Sequence, residues 1–447
     1  MSSRTASRAW RFPWMSEMTA ICMTRAICSD GSVPSMPGRR SAAVLALVGS
    51  VAMAELAVAL LAPRSGVLDP AQVDLGRFFT ARQLDHAADF RGPQLWLFVG
   101  TLLVQAAVLA LLVLRSGRIG TLLARPWRRP VLVSAAAGAG ISVLLVLATL
   151  PVLAVMRARA IDVGLVTQSW GGWLWDVARS AALGALLAAI ATAAAVALMR
   201  RLPRGWWAPA SGVVVAIAAV LVFAGPLVLD PLFNRFERLP PGPTRTEVLN
   251  LAQRAGVNVG EVYVVDASRR TTAANAYVTG FGSSRRVVLY DTLLRDFPRA
   301  QTRLVVAHEL GHVHYRDVPR ALLFILLAAP LGMLAVALLT RWWAPLPAGS
   351  RAGPATVPAL FVAFTLVALL ITTVSNQLSR RVEARADTYA LELTGEARTF
   401  IDQQQRLAVQ NVADPDPAAA VRFLLRTHPT ARERIGVGVA WEAGRRP

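Results

Sequence analysis

The run His308-Glu309-Leu310-Gly311-His312 holds side chains able to bind a metal and to move a proton. On a helix, positions 308 and 312 lie one turn apart on one face, so both imidazoles can bind a single cation. Glu309 stands beside them and can take a proton from a water that the cation activates. Zn²⁺ suits such donors, and its catalytic sites commonly use three protein ligands and keep a fourth position for water. The chain has five histidines and two cysteines, Cys22 and Cys28, both near the N-terminus. A disulfide framework or a cysteine zinc site is thereby excluded from the folded body, and a third ligand must be a carboxylate or another histidine.

The segment Ser379–Asp387 offers Glu383 on an expected helix, with Asp387 one turn further on the same face. A carboxylate there can accept a hydrogen bond from the free ring nitrogen of a ligand histidine and so set its tautomer. Both acids can equally serve as exposed partners for the arginines around them, and spacing alone leaves the two open. His314, two positions beyond His312, points away from the metal and is expected to be solvated or to lie outside the ligand set. His428 precedes a proline in Thr427–Arg434. It can stabilise an oxyanion, although by itself it reads as a surface residue.

These groups need a scaffold, and composition says what kind. The 447 residues are 55% hydrophobic, with mean hydropathy +0.47, too apolar for an ordinary soluble chain. Seven apolar runs are long enough to cross a bilayer: Ser41–Leu61, Leu95–Leu114, Val131–Met156, Ala178–Met199, Trp206–Leu229, Ala321–Leu339 and Thr356–Val374. There is no lysine, so the net charge of +20 rests on arginine. With abundant Ala, Val, Leu and Pro, this points to a GC-rich, bacterial genome. The arginines gather at the ends of spans, as in Arg125–Arg129 and Arg200-Arg201, which favours lipid head groups over nucleic acid as their partner. Trp170, Trp173, Trp175, Trp206 and Trp207 are expected in an interfacial belt. Glu55, inside the first span, faces protein and water or snorkels to the helix end.

Residues 1–40 are polar and basic, without the pattern of a cleavable signal, and are expected to be a disordered tail or a misassigned start with Met36 as the true one. Residues 41–229 hold spans one to five and 321–374 spans six and seven. The polar stretch 230–320 and the segment 375–447 must share one face of the membrane, because two spans separate them. Within 230–320, Thr244–Glu247 reads as a capping box opening a helix that Gly256 closes. Glu261–Asp266 reads as a strand. Ala276–Phe281 and Arg286–Tyr290 read as a hairpin around Gly282-Ser283-Ser284. A helix from about Pro298 to Arg316 carries the motif, and Pro319 is expected to end it. A Pro/Gly-rich loop, Ala344–Pro358, joins spans six and seven. The loops after spans two and four hold five and three arginines, against four and two after spans one and three. That small excess would put the N-terminus inside and the site outside.

Several motifs in one order resemble the type 1 CAAX prenyl protease family of integral-membrane zinc metallopeptidases. They are Phe78-Phe79-Thr80 with Gln83, Gln168-Ser169-Trp170 with Asp176, Asp230–Arg235, Asn275–Gly280, Val288–Leu293, the His-Glu-Leu-Gly-His block, Glu383 to Asp387, and His428-Pro429. The resemblance implies a mainly α fold: seven membrane helices around a water-filled chamber, with an α+β zinc peptidase domain built from 230–320 and 375–447. It implies one Zn²⁺ per chain held by His308, His312 and Glu383, with Glu309 as general base and Asp387 behind a ligand histidine. His428 and Arg434 would stand near the transition state, and Asn275 and Ala276 on the edge strand that pairs with extended substrate. It further implies a monomer in the cell (inner) membrane with a cytoplasmic catalytic face, acting on protein or peptide substrates that are membrane-associated or reach the chamber. Two other readings are a heat-shock-type membrane quality-control protease and a catalytically silent membrane scaffold or channel.

Overall fold

The computed structural model describes residues 38–117, 129–280, 282, 285–346 and 350–444. The expectations for residues 1–37, for Arg125–Arg128 and for Phe281, Ser283 and Ser284 fall outside the described residues. Seven described helices are long and apolar enough to cross a membrane. The first four are α1 (Arg39–Leu61), α2 (Ala81–Leu114), α3 (Pro130–Asp162) and α4 (Trp170–Arg201). The fifth, α5 (Trp207–Ala224), runs on through a π-helical turn, Gly225–Leu229, and a last α turn, Asp230–Phe233.

A polar unit follows: β1 (Phe236–Arg238), α6 (Pro243–Arg254), β2 (Glu261–Val265), β3 (Ala276–Thr279), β4 (Arg286–Tyr290), α7 (Asp291–Asp296) and the motif helix α8 (Arg299–His314). Then come the sixth and seventh spans, α9 (Asp317–Trp343) and α10 (Val357–Thr394), and three shorter helices, α11 (Ala397–Gln410), α12 (Ala419–Leu425) and α13 (Ala431–Glu442). The sheet order is β1-β2-β4-β3. β2 runs parallel to β4, and β3 pairs antiparallel with β4 as the expected hairpin does, which leaves β3 at an edge.

Helix α10 is far longer than its apolar run. Its 38 residues extend ~57 Å at ~1.5 Å per residue, almost twice a ~30 Å hydrocarbon core. The second half is rich in Arg, Glu, Ala and Leu, which favour helix, and no glycine or proline interrupts it before Gly395. That residue, at φ +73°, ends the helix in the left-handed conformation. The half of α10 that bears Glu383 therefore projects from the membrane as a rigid rod.

Local punctuation departs from expectation at two places. Helix α6 starts at Pro243 with Gly242 as its cap, so no capping box forms at Thr244. Proline at the first helical position has φ already set and needs no partner for an N–H it lacks. Glu247 instead accepts from Arg299 and Arg303, at 2.9 and 2.6 Å. Pro319 does not end the motif helix but sits in the first turn of α9, where proline is tolerated. The break comes from Arg316, at φ +55° and ψ +47°.

Within the membrane part, Trp206 is 2% exposed and packs in the helix core rather than joining a belt. The cluster that holds it includes small residues such as Ala43 and Ala210. Trp170 and Trp173 meet edge to face and flank the Arg157 guanidinium at 5.2 and 5.3 Å. Glu55 accepts from Gln377 Nε2 of α10 at 2.9 Å.

Arginines clasp the polar unit to spans four and five. Asp176 on α4 accepts from Gln168 Nε2 at 2.6 Å, from Arg270 Nε at 2.8 Å and from Arg179. Arg270 also donates to Asn234 Oδ1, just past span five. Tyr277, on the edge strand, donates to Asp230, and Arg286 to the Pro226 carbonyl inside the π turn. Arg270→Leu is expected to cost about 1.5–3 kcal/mol, the range for hydrogen bonds to charged groups. Adding Asp176→Leu should cost less than the sum, with a coupling of about 0.5–3 kcal/mol in a thermal-unfolding double-mutant cycle.

Candidate active site

Helix α8 is held by Leu304, Val306, Ala307 and Leu310, each at most 1% exposed. They share one buried cluster with Val287 and Leu289 of the sheet and with Ala390 and Leu391 of α10. Gly311 faces α10. A Cβ there would lie 3.1 Å from the Tyr389 ring and 3.4 Å from Ala386 Cα, so the motif glycine allows the two helices to approach closely.

That approach brings the groups of the two helices together. The rings of His308 and His312 stand edge to face with centroids 4.9 Å apart, and their Nε2 atoms are separated by 3.2 Å. Glu383 Oε2 lies 3.2 Å from His308 Nε2, and Oε1 lies 3.6 Å from His312 Nε2. Atoms of His308, Glu309 and His312 also lie within 4.8 Å of one another, so either glutamate is near enough to complete a ligand set. The two oxygens of Glu383 lie one against each of the paired Nε2 atoms.

Each motif histidine is fixed from behind. His308 Nδ1 donates to Asp387 Oδ1 at 2.9 Å, and His312 Nδ1 donates to Asp317 Oδ2 at 3.0 Å. An ionised carboxylate only accepts, so the ring proton sits on Nδ1 and the Nε2 lone pair faces inward. Two nitrogen lone pairs and a carboxylate thus converge in a buried space, and Glu383 Oε2 has no hydrogen-bond partner there. Acceptors so gathered call for a cation. Burial disfavours charge on His308, but Asp387 and Glu383 outweigh it and lift its pKa to about 10, so a cation bound at Nε2 would take the place of a proton there. A point that so favours positive charge suits a divalent metal. Burial pushes the Glu309 carboxyl above its ordinary value, with His308 and His312 opposing, the direction a proton-accepting group needs near neutral pH.

The remaining expected residues are placed as follows. His428 is exposed, with Nε2 3.3 Å from Glu383 Oε2. Arg434, on α13, donates through Nε to Asp387 Oδ2 at 2.8 Å and through a second nitrogen to Oδ1. Asp387 is 1% exposed. Asn275 is exposed and leads into β3, where Ala276 is buried; its carbonyl accepts from Tyr290 N. His314 is outside the group: it stacks on Tyr389 at 4.7 Å. Sequence reasoning missed Asp317. Its one signal is being the first acid after the motif, but on a continuous helix five residues from His312 it would face elsewhere. Arg434→Ala strips the buried Asp387 of its guanidinium partner and should cost about 3–5 kcal/mol, measured by thermal unfolding.

Comparison with known proteins gives the family of the chain. The model of Peptidase family M48 matches residues 242–438, and that described as CAAX prenyl protease N-terminal, five membrane helices, matches 161–235. The uncharacterized metalloprotease YhfN of Bacillus subtilis is 30% identical over 300 residues, 66% of this chain and 70% of that protein. CAAX prenyl protease 1 of Saccharomyces cerevisiae is 29% identical over 245 residues, covering 50% of this chain and 52% of its own length. The crystal structure of S. mikatae Ste24p shares the fold, with TM-score 0.72 and 19% identity over 91% of this chain and all of that one. With its seven membrane-length helices and its site at the junction of α8 and α10, the chain belongs to peptidase family M48, as a membrane metallopeptidase of the CAAX prenyl protease type.

Proposed function

We propose that the chain is a zinc endopeptidase with one Zn²⁺ held by His308, His312 and Glu383. Its peptidase unit is 230–320 together with 375–447, set on the membrane unit 41–229 and 321–374. The observation that carries this is the convergence of Glu383, from a helix beyond a further span, on both motif Nε2 atoms at 3.2 and 3.6 Å. When bound, zinc supplies a Lewis acid that eases deprotonation of water and polarises a carbonyl.

The side chains do the rest. The edge strand β3, entered at Asn275 and Ala276, receives an extended substrate as an added strand. Glu309 takes the proton of the attacking water and passes it to the leaving amine. His428 donates to the developing oxyanion. Arg434 acts through Asp387, which keeps His308 in its tautomer. Substrates are protein or peptide chains that are membrane-associated or reach the interior between the helices, as in CAAX-type processing. The enzyme works as a monomer in the cell's inner membrane with its catalytic face to the cytoplasm.

Glu309→Gln should lower kcat by about 10²–10⁴-fold at unchanged zinc content, assayed on a quenched peptide in detergent. Chelation should abolish turnover and added zinc restore it; a chain that never holds zinc would be a silent scaffold instead. His428→Ala should lower kcat by about 10²–10³-fold, the range for losing one oxyanion donor, with little change in KM.

A further inference from the structure

Two chains of like composition hold the motif histidines. In one, His308 meets Asp387 and Asp387 meets Arg434. In the other, His312 Nδ1 meets Asp317 Oδ2 at 3.0 Å, and Asp317 Oδ1 meets Arg385 Nη2 at 2.5 Å and Arg320 Nη1 at 2.7 Å. Asp317 is 9% exposed and Arg385 5%. The Arg385 guanidinium lies over the Tyr315 ring, 4.0 Å from its centre. Arg385 sits on α10 between Glu383 and Asp387, so the helix that brings Glu383 to the site also grips the carboxylate behind His312. The left-handed turn at Arg316 makes this possible by folding Asp317 back beneath the end of α8.

We propose that Asp317, clamped by Arg385, is a positioning residue that keeps the His312 proton on Nδ1 and its Nε2 free for the metal. This rests on the assignment of His312 as a ligand. The two guanidiniums occupy Oδ1 and leave Oδ2 for the imidazole. An asparagine at 317 would meet the same constraint: its amide oxygen would turn to the guanidiniums, which can only donate. Its NH₂ would then face Nδ1 and force the ring proton onto Nε2, where it blocks coordination. The isosteric change should therefore do more harm than truncation, the reverse of what a packing or plain charge role would produce.

The test uses full-length protein in detergent, stripped with a chelator and titrated with zinc against a chromophoric competitor, with helical content followed by circular dichroism. Loss of an orienting partner weakens metal binding by about 10–100-fold. Asp317→Ala is expected near the lower end of that range and Asp317→Asn near the upper, both at the parent's helical content. The inference is overturned if Asp317→Asn binds zinc within about twofold of the parent, or if Asp317→Ala is the weaker binder. Should Asp317→Asn lose its helical content, Asp317→Ala decides, and affinity within about twofold of the parent overturns the inference. His312→Ala separates the two assignments: if it also keeps the parent's affinity, the ligand assignment falls too, and if it loses zinc while Asp317→Asn does not, only the role of Asp317 falls.

Discussion

Helices α8 and α10 touch at Gly311, and the geometry of the site follows from how closely they lie. With the motif glycine against Ala386 and Tyr389, Glu383 reaches both Nε2 atoms and Asp387 reaches His308 Nδ1. A side chain at 311 would push the helices apart, and every one of these distances would grow together. The apolar residues around α8 serve the same end. They exclude water and fix the rotation of the helix, so that the two imidazoles cannot turn away from α10.

Close approach alone would gather acceptors that repel one another. The chain balances them with arginine, its only strong cation apart from the N-terminus. Arg434 pairs with Asp387, and Arg385 and Arg320 pair with Asp317. A planar guanidinium, always charged and able to donate twice, holds each carboxylate behind a histidine in place. Buried ion pairs of this kind add little net stability against apolar packing. What they provide here is orientation: two imidazoles with their lone pairs turned to one point.

The same chemistry fastens the peptidase unit to the membrane. Asp176 on the fourth span and Asp230 at the end of the fifth accept from Arg270 and Tyr277, which flank the start of the edge strand. The π turn in the fifth span leaves the Pro226 carbonyl free to accept from Arg286. Motifs around Gln168 and Asp230, which carry no metal chemistry, thus have a mechanical role: they tie the edge strand and the segment before it to the fourth and fifth spans.

Much of this was legible in residue order. Apolar runs long enough to cross a bilayer named the seven spans, because the length of a helix and the thickness of a membrane are both set by simple geometry. Spacing of four named the histidine pair, and the alternating strands and the hairpin showed in their side-chain pattern. Helix starts were less legible: Pro243 overrode a capping box at Thr244, and Arg316 rather than Pro319 broke the motif helix, because backbone conformation at single residues depends on what packs around them. The sequence by itself named the candidate donors and base and the seven spans, and required the two polar segments to share one face, because chemistry, helix length and the count of spans are all local properties of the chain. Only the tertiary structure decided that α10 continues unbroken beyond the membrane to bring Glu383 and Arg385 to α8, and that Asp317 folds back under His312. Those contacts join residues tens of positions apart or across a broken helix, and no periodicity along the chain encodes a distance between two helices.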